Sequence, residues 1–395
     1  MNVLWIYNLP LIPEAGGTER ITSLVSRGLT LHGHQCLGIL VFNERTGSIT
    51  YDSEFITDLY SFLCKHQVDI VINQIAYDKW LLDVFLKKGG EQWHREKGQI
   101  ISCLHFDPKN PSLLYLLKGK NDKNIKDILS IVKATVLYKY YEYKQNKREG
   151  ETYNYIYNHS DWFVTLSPTH FPYLYKIMKR LEYSKLIAIN NPLTFEDIST
   201  SEMLEKKKNV VLVCARMSEY HKRISIILKA WMAICKRKEV NGWTLKMVGV
   251  GPDLQRYKDF VSTNCIPNVR FEGQQSSEPY YNEASILLLT SSAEGWGLTI
   301  TEGLQRGVVP VVMNSCSVFG EIIQNGYNGY LTPDKDMKVF ENKVLQLMSE
   351  PSILRQMQLH ALESAKKFSL ESTMNKWEIL IKDRKIWKKI LKSDM

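Results

Sequence analysis

Two carboxylates, Glu294 and Glu302, stand eight residues apart in the stretch LTSSAEGWGLTITEGLQRGVVPVV, residues 289–312. Each can accept hydrogen bonds from two hydroxyls, which suits a vicinal diol on a sugar ring. Upstream, the apolar run SILLLT (285–290) has the character of a buried strand, and Ser291, Ser292, Gly295 and Gly297 interrupt it. A helical rhythm follows from Leu298 to Gln305, so the spacing predicts strand, polar turn, helix. The free N–H groups and positive dipole end of a helix starting after Gly297 favour an anion such as a diphosphate. A molecule with a hydroxyl-bearing ring at each end and a diphosphate between would meet one carboxylate at each end and amides in the middle. The spacing taken alone better suits a solvated helix face, and it is the flanking residues that overturn that reading.

A second constellation pairs cations. In VVLVCARMSEYHKRISIILKAW (210–231), Val210–Cys214 reads as a parallel strand and 224–231 as the next helix, which places Arg216 and Lys222 beyond the strand's carboxyl end. Ligands of open α/β sheets bind at that edge. Arginine grips phosphate bidentately and lysine acts as a point charge. Further on, WTLKMVGVGPDLQRYKDFV predicts a strand ending in a turn built on Gly249 and Gly251, followed by a helix; Gln274 and Gln275 follow the next strand.

The series Glu-Gly-aromatic-Gly-Leu followed by Glu-Gly-Leu-x-x-Gly-x-x-Pro-Val-Val resembles the Glu-x7-Glu signature of the family 4 retaining glycosyltransferases, which have the GT-B fold. The resemblance implies an α/β chain of two Rossmann-like domains facing a central cleft, with a C-terminal helix crossing back to the first. It also implies that Arg216 and Lys222 grip the donor diphosphate, and that Gly249 and Gly251 admit base and ribose. On the same grounds Glu294, Gly295, Trp296, Gly297, Leu298, Thr299 and Glu302 line the donor, with Glu294 at the sugar and Glu302 at the ribose. Ala215 before the arginine and Arg223 after the lysine depart from the family's usual glycines, which puts the local backbone path in question.

The N-terminal half opens as a looser version of the same unit: strand, glycine loop, amphipathic helix, Gly-His turn, strand. Gly16 and Gly17 precede a helix, where they could present N–H groups to a phosphate or simply make a turn. His105 and Asp107 follow the apolar strand Gln99–Leu104, and Ser167 is placed to cap a helix. By the resemblance, Gly16 and Gly17 face the diphosphate, His105 approaches the donor sugar as a catalytic residue beside Arg216, Lys222 and Glu294, and Glu19 and Asp107 lie on the acceptor side.

The elements that carry these residues need two cores, and 395 residues with 44% hydrophobic content supply them. The expected division is an acceptor-side domain over 1–195, joined by a helix near 375–395, and a donor domain over 205–374. The break falls near 190–208, where NNPL, a polar acidic stretch and three lysines interrupt the pattern. Seven cysteines without ligand spacing argue against a disulfide framework or a zinc site. The N-terminus lacks a basic signal-peptide start, and no run reaches the roughly 20 apolar residues of a membrane span, so a cytoplasmic location is expected. Net charge is +9, with lysines recurring between Lys118 and Arg148 among aliphatics and tyrosines. That segment predicts a basic amphipathic helix, suited either to the face of an anionic membrane or to domain packing with a solvated lysine side. No nucleic-acid module accompanies the charge, and nucleic acid is not an expected partner.

The resulting expectation is a retaining, metal-independent hexosyltransferase without a resident cofactor. Its co-substrate would be a nucleoside diphosphate sugar, most simply a UDP-sugar, and its acceptor a glycan or lipid-linked glycan of cell-surface polysaccharide or lipopolysaccharide synthesis, at the inner face of the membrane. A nucleotide-sugar 2-epimerase of the same fold and a non-catalytic sugar-nucleotide-binding partner are the alternatives.

Overall fold

The computed structural model describes residues 1–13, 16–96, 98–109, 137–180, 183–237 and 242–382. They form two compact units: one contains the described parts of 1–109, 137–192 and 369–382, the other the described parts of 193–368.

In the first unit, β1 (Asn2–Tyr7), β2 (Gln35–Phe42), β5 (Ile70–Asn73), β6 (Gln99–Leu104), β7 (Trp162–Thr165) and β8 (Leu186–Ala188) run parallel. The short β3 (Ile49–Tyr51) and β4 (Glu54–Phe55) add an antiparallel edge, giving the order β4-β3-β2-β1-β5-β6-β7-β8. Strands such as β5 and β7 are buried along their whole length, which explains their continuous apolar runs. The helix Gly17–Leu31 follows β1, and Ser167 accepts from Thr169 N at 2.9 Å to cap the 3-10 turn before Phe171–Met178.

The helix Leu370–Lys382 returns to this unit and packs on Gly17–Leu31, where a side chain at Gly28 would collide with the Met374 sulfur. Glu378 anchors it, accepting from His34 Nε2 at 2.6 Å, with Lys382 on its other oxygen.

In the second unit, β9 (Val210–Cys214), β10 (Thr244–Val248), β11 (Val269–Gly273), β12 (Ile286–Leu289), β13 (Val309–Asn314) and β14 (Tyr330–Pro333) are all parallel, in the order β11-β10-β9-β12-β13-β14. Alternate strand residues feed separate apolar clusters: Val211, Val213, Leu245 and Met247 one, Val210, Leu212 and Leu287 the other. Both sheet faces are therefore covered, as a parallel sheet requires. The strand order reverses between β9 and β12. Open α/β sheets bind ligands at such a switch point, beyond the carboxyl ends of the strands.

Candidate active site

The chain leaving β9 and the chain leaving β12 flank the switch point of the second sheet, and they carry Arg216, Lys222 and Glu294. Three backbone hydrogen bonds join the β9 loop to the β10 turn: Ala215 N to Val248 O at 3.0 Å, Met217 N to Val250 O at 3.0 Å, and Asp253 N to Met217 O at 3.0 Å. Such close approach needs glycine. Gly249 sits at φ 127, where a Cβ would strike the Ala215 carbonyl, and a Cβ on Gly251 would strike the Met217 carbonyl. The Gly-x-Gly turn thus shapes the arginine loop itself.

Lys222 Nζ lies 2.5 Å from Glu294 Oε1, and the two side chains are 20% and 15% exposed. Ser291 Oγ donates to the same carboxylate oxygen at 2.6 Å. Arg216 is exposed and has no ion pair among the described residues. Its charge and that of Lys222 both reach His221, whose pKa is lowered first by burial and then by these cations. Arg216 and Lys222 thus bring two cations to this edge, with the Glu294 carboxylate beside them. Gly297, at φ 105, caps the helix Leu298–Gln305 and leaves the Leu298 and Thr299 N–H groups unpaired among the described residues, beside Gly295 and Glu294. A diphosphate would find cations and amides together at this point.

Glu302, on the second turn of that helix, is 3% exposed and accepts from Thr194 Oγ1 at 2.9 Å. Tyr281, fully buried, reaches the Thr299 carbonyl at 3.2 Å. Burial, then Cys214, then Glu302 push the Tyr281 pKa well up, so the phenol stays a donor. The Trp296 side chain is 3% exposed and packs edge-on against Phe368, so it supports the loop from below and leaves its backbone for any ligand.

In the first unit, Gly16 precedes the helix that Gly17 begins, and a Cβ there would meet the Glu19 carboxylate. Glu19 is buried and accepts from Tyr7 OH at 3.2 Å; burial, and then the carboxylate, raise the Tyr7 pKa. His105 Nε2 bonds Gln74 Oε1, while its buried Nδ1 has no partner among the described residues. Burial pushes its pKa down to about 4, so the ring is neutral near pH 7. Gln74 leaves β5 and His105 leaves β6, so neighbouring strand ends bring them together. Asp107 accepts from Lys109 N at 2.9 Å in the same loop.

The structure thus gathers Arg216, Lys222, Glu294, Gly295, Gly297, Leu298 and Thr299 with the turn of Gly249 and Gly251 on the second unit. It places Gly16, Gly17, Glu19, His105 and Asp107 on the first. Reading the sequence did not reveal the roles of Thr194, Tyr281, Gln74 and Ser291: the first three reach a candidate residue from 108, 18 and 31 residues away, and Ser291 reaches Glu294 within its own loop. Of the basic stretch, residues 118–136 lie outside the described residues. From Tyr138 the chain is helical to His159, with Lys139, Tyr140, Tyr143, Lys144, Lys147 and Arg148 exposed.

Residues 194–367 match the family model described as glycosyl transferases group 1. An uncharacterized glycosyltransferase of Haemophilus influenzae is 23% identical over 381 residues, covering 93% of this chain and 96% of that one. Among solved structures, a point mutant of S. aureus TarM, in complex with Fondaparinux, alpha-GlcNAc-glycerol and UDP, aligns at a TM-score of 0.60 and 15% identity. That alignment covers 87% of this chain and 64% of TarM. The lipopolysaccharide outer core galactosyltransferase WaaB aligns at 0.64 and 18%, over 96% of this chain and 99% of that chain. The fold is GT-B, with two Rossmann-like domains, and the matches support a glycosyltransferase of group 1.

Proposed function

We propose that the protein is a retaining hexosyltransferase that moves a sugar from a uridine diphosphate donor to a glycan or lipid-linked glycan acceptor of surface polysaccharide or lipopolysaccharide synthesis. The observation that carries this reading is the meeting of Arg216, Lys222, Glu294 and the Leu298 and Thr299 amides at the switch point of the second sheet. Similarity to TarM, whose complex holds UDP, and to WaaB, a lipopolysaccharide galactosyltransferase, supports the choice of donor and pathway.

In this reading the acceptor hydroxyl attacks the anomeric carbon as the bond to the diphosphate breaks. The departing phosphate oxygen takes the acceptor proton on the same face, so configuration is retained and no protein nucleophile is required. The protein's part is electrostatic. Arg216, Lys222 and the helix amides stabilise charge developing on the diphosphate, while Glu294 holds sugar hydroxyls and Glu302 the ribose. Charge stabilisation by these groups makes metal dispensable, so turnover is expected to survive a chelator. The exposed lysines and tyrosines at the start of the helix Tyr138–His159 are assigned to an anionic membrane surface, where a lipid-linked acceptor would lie.

The test is a thermal-shift screen of uridine, guanosine and adenosine diphosphate sugars, then turnover of the stabilising donor by wild type, Arg216→Ala and Lys222→Ala. Loss of transition-state charge stabilisation should lower kcat by about a hundredfold or more in each variant. Near-normal turnover in a folded variant removes that residue from the site. Release of an isomerised sugar nucleotide without acceptor would make the protein an epimerase instead.

A further inference from the structure

Arg223 closes the short helix Glu219–Lys222 and opens Ile224–Ile234 at φ 48 and ψ 43, a backbone conformation that favours glycine. Its side chain is 5% exposed. Nε donates to the Thr290 carbonyl at 2.5 Å, and Nη2 to the Ser291 carbonyl at 2.9 Å and to Asp334 Oδ1 at 2.7 Å. A buried guanidinium persists where its donors are matched, and two of these acceptors are the backbone at the start of the Glu294 loop. The loop answers in kind. Thr290 Oγ1 donates to the carbonyls of Lys222 at 2.9 Å and of Arg223 at 3.1 Å, and Ser292 N donates to His221 O at 2.8 Å. Ser291 carries the connection onward, through its hydroxyl, to Glu294 Oε1 at 2.6 Å.

We propose that Arg223 is a positioning residue for sugar transfer: its guanidinium clamps the Thr290–Ser291 backbone so that Lys222 and Glu294 hold one fixed geometry toward the donor. Lys222 is its chain neighbour and Glu294 lies three residues past Ser291, so a single side chain sets both. The proposal rests on the donor-site reading of the second unit. Arg223 itself touches no substrate, because it is buried beneath the loop. A preorganising clamp acts on the reacting geometry more than on ground-state binding, so its loss should appear in kcat and leave KM nearly alone.

Arg223→Gly isolates the side chain, since glycine is at ease at φ 48. Purified full-length variants are compared by thermal melting, calorimetry with UDP, amide hydrogen exchange and steady-state kinetics with the UDP-sugar found in the screen. In Arg223→Gly, kcat should fall about tenfold or more, with KM and UDP affinity within about threefold of wild type. Exchange at the Ser292 amide should rise about tenfold. Millimolar guanidinium should restore part of the lost kcat in Arg223→Gly and none in Lys222→Ala. Wild-type kcat in folded Arg223→Gly overturns the proposal. Should that variant fail to fold, Arg223→Lys decides: a lowered kcat at unchanged KM upholds the clamp, and full kcat overturns it. If the wild type turns over no nucleotide sugar, the donor reading fails and Ser292 exchange alone judges the clamp. Faster exchange in Arg223→Gly then upholds it as the anchor of this loop, and unchanged exchange overturns it.

Discussion

Exchanging each of the two glutamates for its amide should separate the two ends of the donor. Glu302 is 3% exposed and accepts from Thr194 Oγ1 at 2.9 Å, so Glu302→Gln keeps an oxygen for that hydroxyl and the helix should be undisturbed. What disappears is the negative charge toward which ribose hydroxyls would donate. A hydrogen bond to a charged group contributes about 1.5–3 kcal/mol, which corresponds to roughly tenfold to a hundredfold weaker UDP binding. Glu294→Gln should behave differently, because its carboxylate is paired with Lys222 at 2.5 Å. Removing that charge frees the ammonium for a diphosphate. The pair is largely shielded from solvent, so removing the carboxylate leaves a buried cation in need of an anion, and UDP binding should hold or tighten. Sugar transfer should nevertheless fall, since the group that orients the hexose has gone. Calorimetric titration of both variants with UDP, after circular dichroism has verified folding, reads the contrast directly. Loss of UDP by Glu294→Gln with full affinity in Glu302→Gln would refute the orientation of the donor proposed here.

Three other outcomes are expected. Gly249→Ala places a Cβ against the Ala215 carbonyl at φ 127, so denaturant unfolding should show about 3 kcal/mol or more of lost stability; a loss below about 1 kcal/mol would mean that the two loops can separate freely. Burial lowers the pKa of His105 and of His170 to about 4, below the unfolded value near 6.5. Each therefore contributes stability that is complete above about pH 6.5 and is lost as pH falls through about 4, by up to about 3 kcal/mol per histidine. Both His170 ring nitrogens lack partners among the described residues, so His170→Phe should flatten the pH dependence of unfolding between about pH 7 and 4.5, and an unchanged slope would sink this account. Finally, changing Lys139, Lys144 and Lys147 to glutamine should weaken binding to anionic vesicles and its salt sensitivity, whereas equal partitioning of variant and wild type would leave these lysines as ordinary solvated surface.

How far these features could be read from residues depends on the range of the forces involved. Strand positions were legible because burial on both sheet faces writes continuous apolar runs: Val210–Cys214 and Gln99–Leu104 are strands as expected, and the helix starts directly after Gly297. Local chemistry of that kind also marked Arg216, Lys222 and Glu294 as neighbours of one sheet edge. The partners that orient Glu302 and His105 were not legible, because they come from far along the chain. Thr194 is 108 residues from Glu302, and Gln74 is 31 from His105. Trp296 shows a second limit: the resemblance sets it among the donor-lining residues, and the packing of its buried ring on Phe368 was not legible from its neighbours. Arg223 shows a third. Its presence in place of glycine puts the backbone path in question, and the residue takes up a left-handed conformation that glycine would also adopt. Local propensity forecasts a cost there. That cost is met by carbonyls of Thr290 and Ser291 and by Asp334, 67, 68 and 111 residues away, so the same turn is kept by a different means.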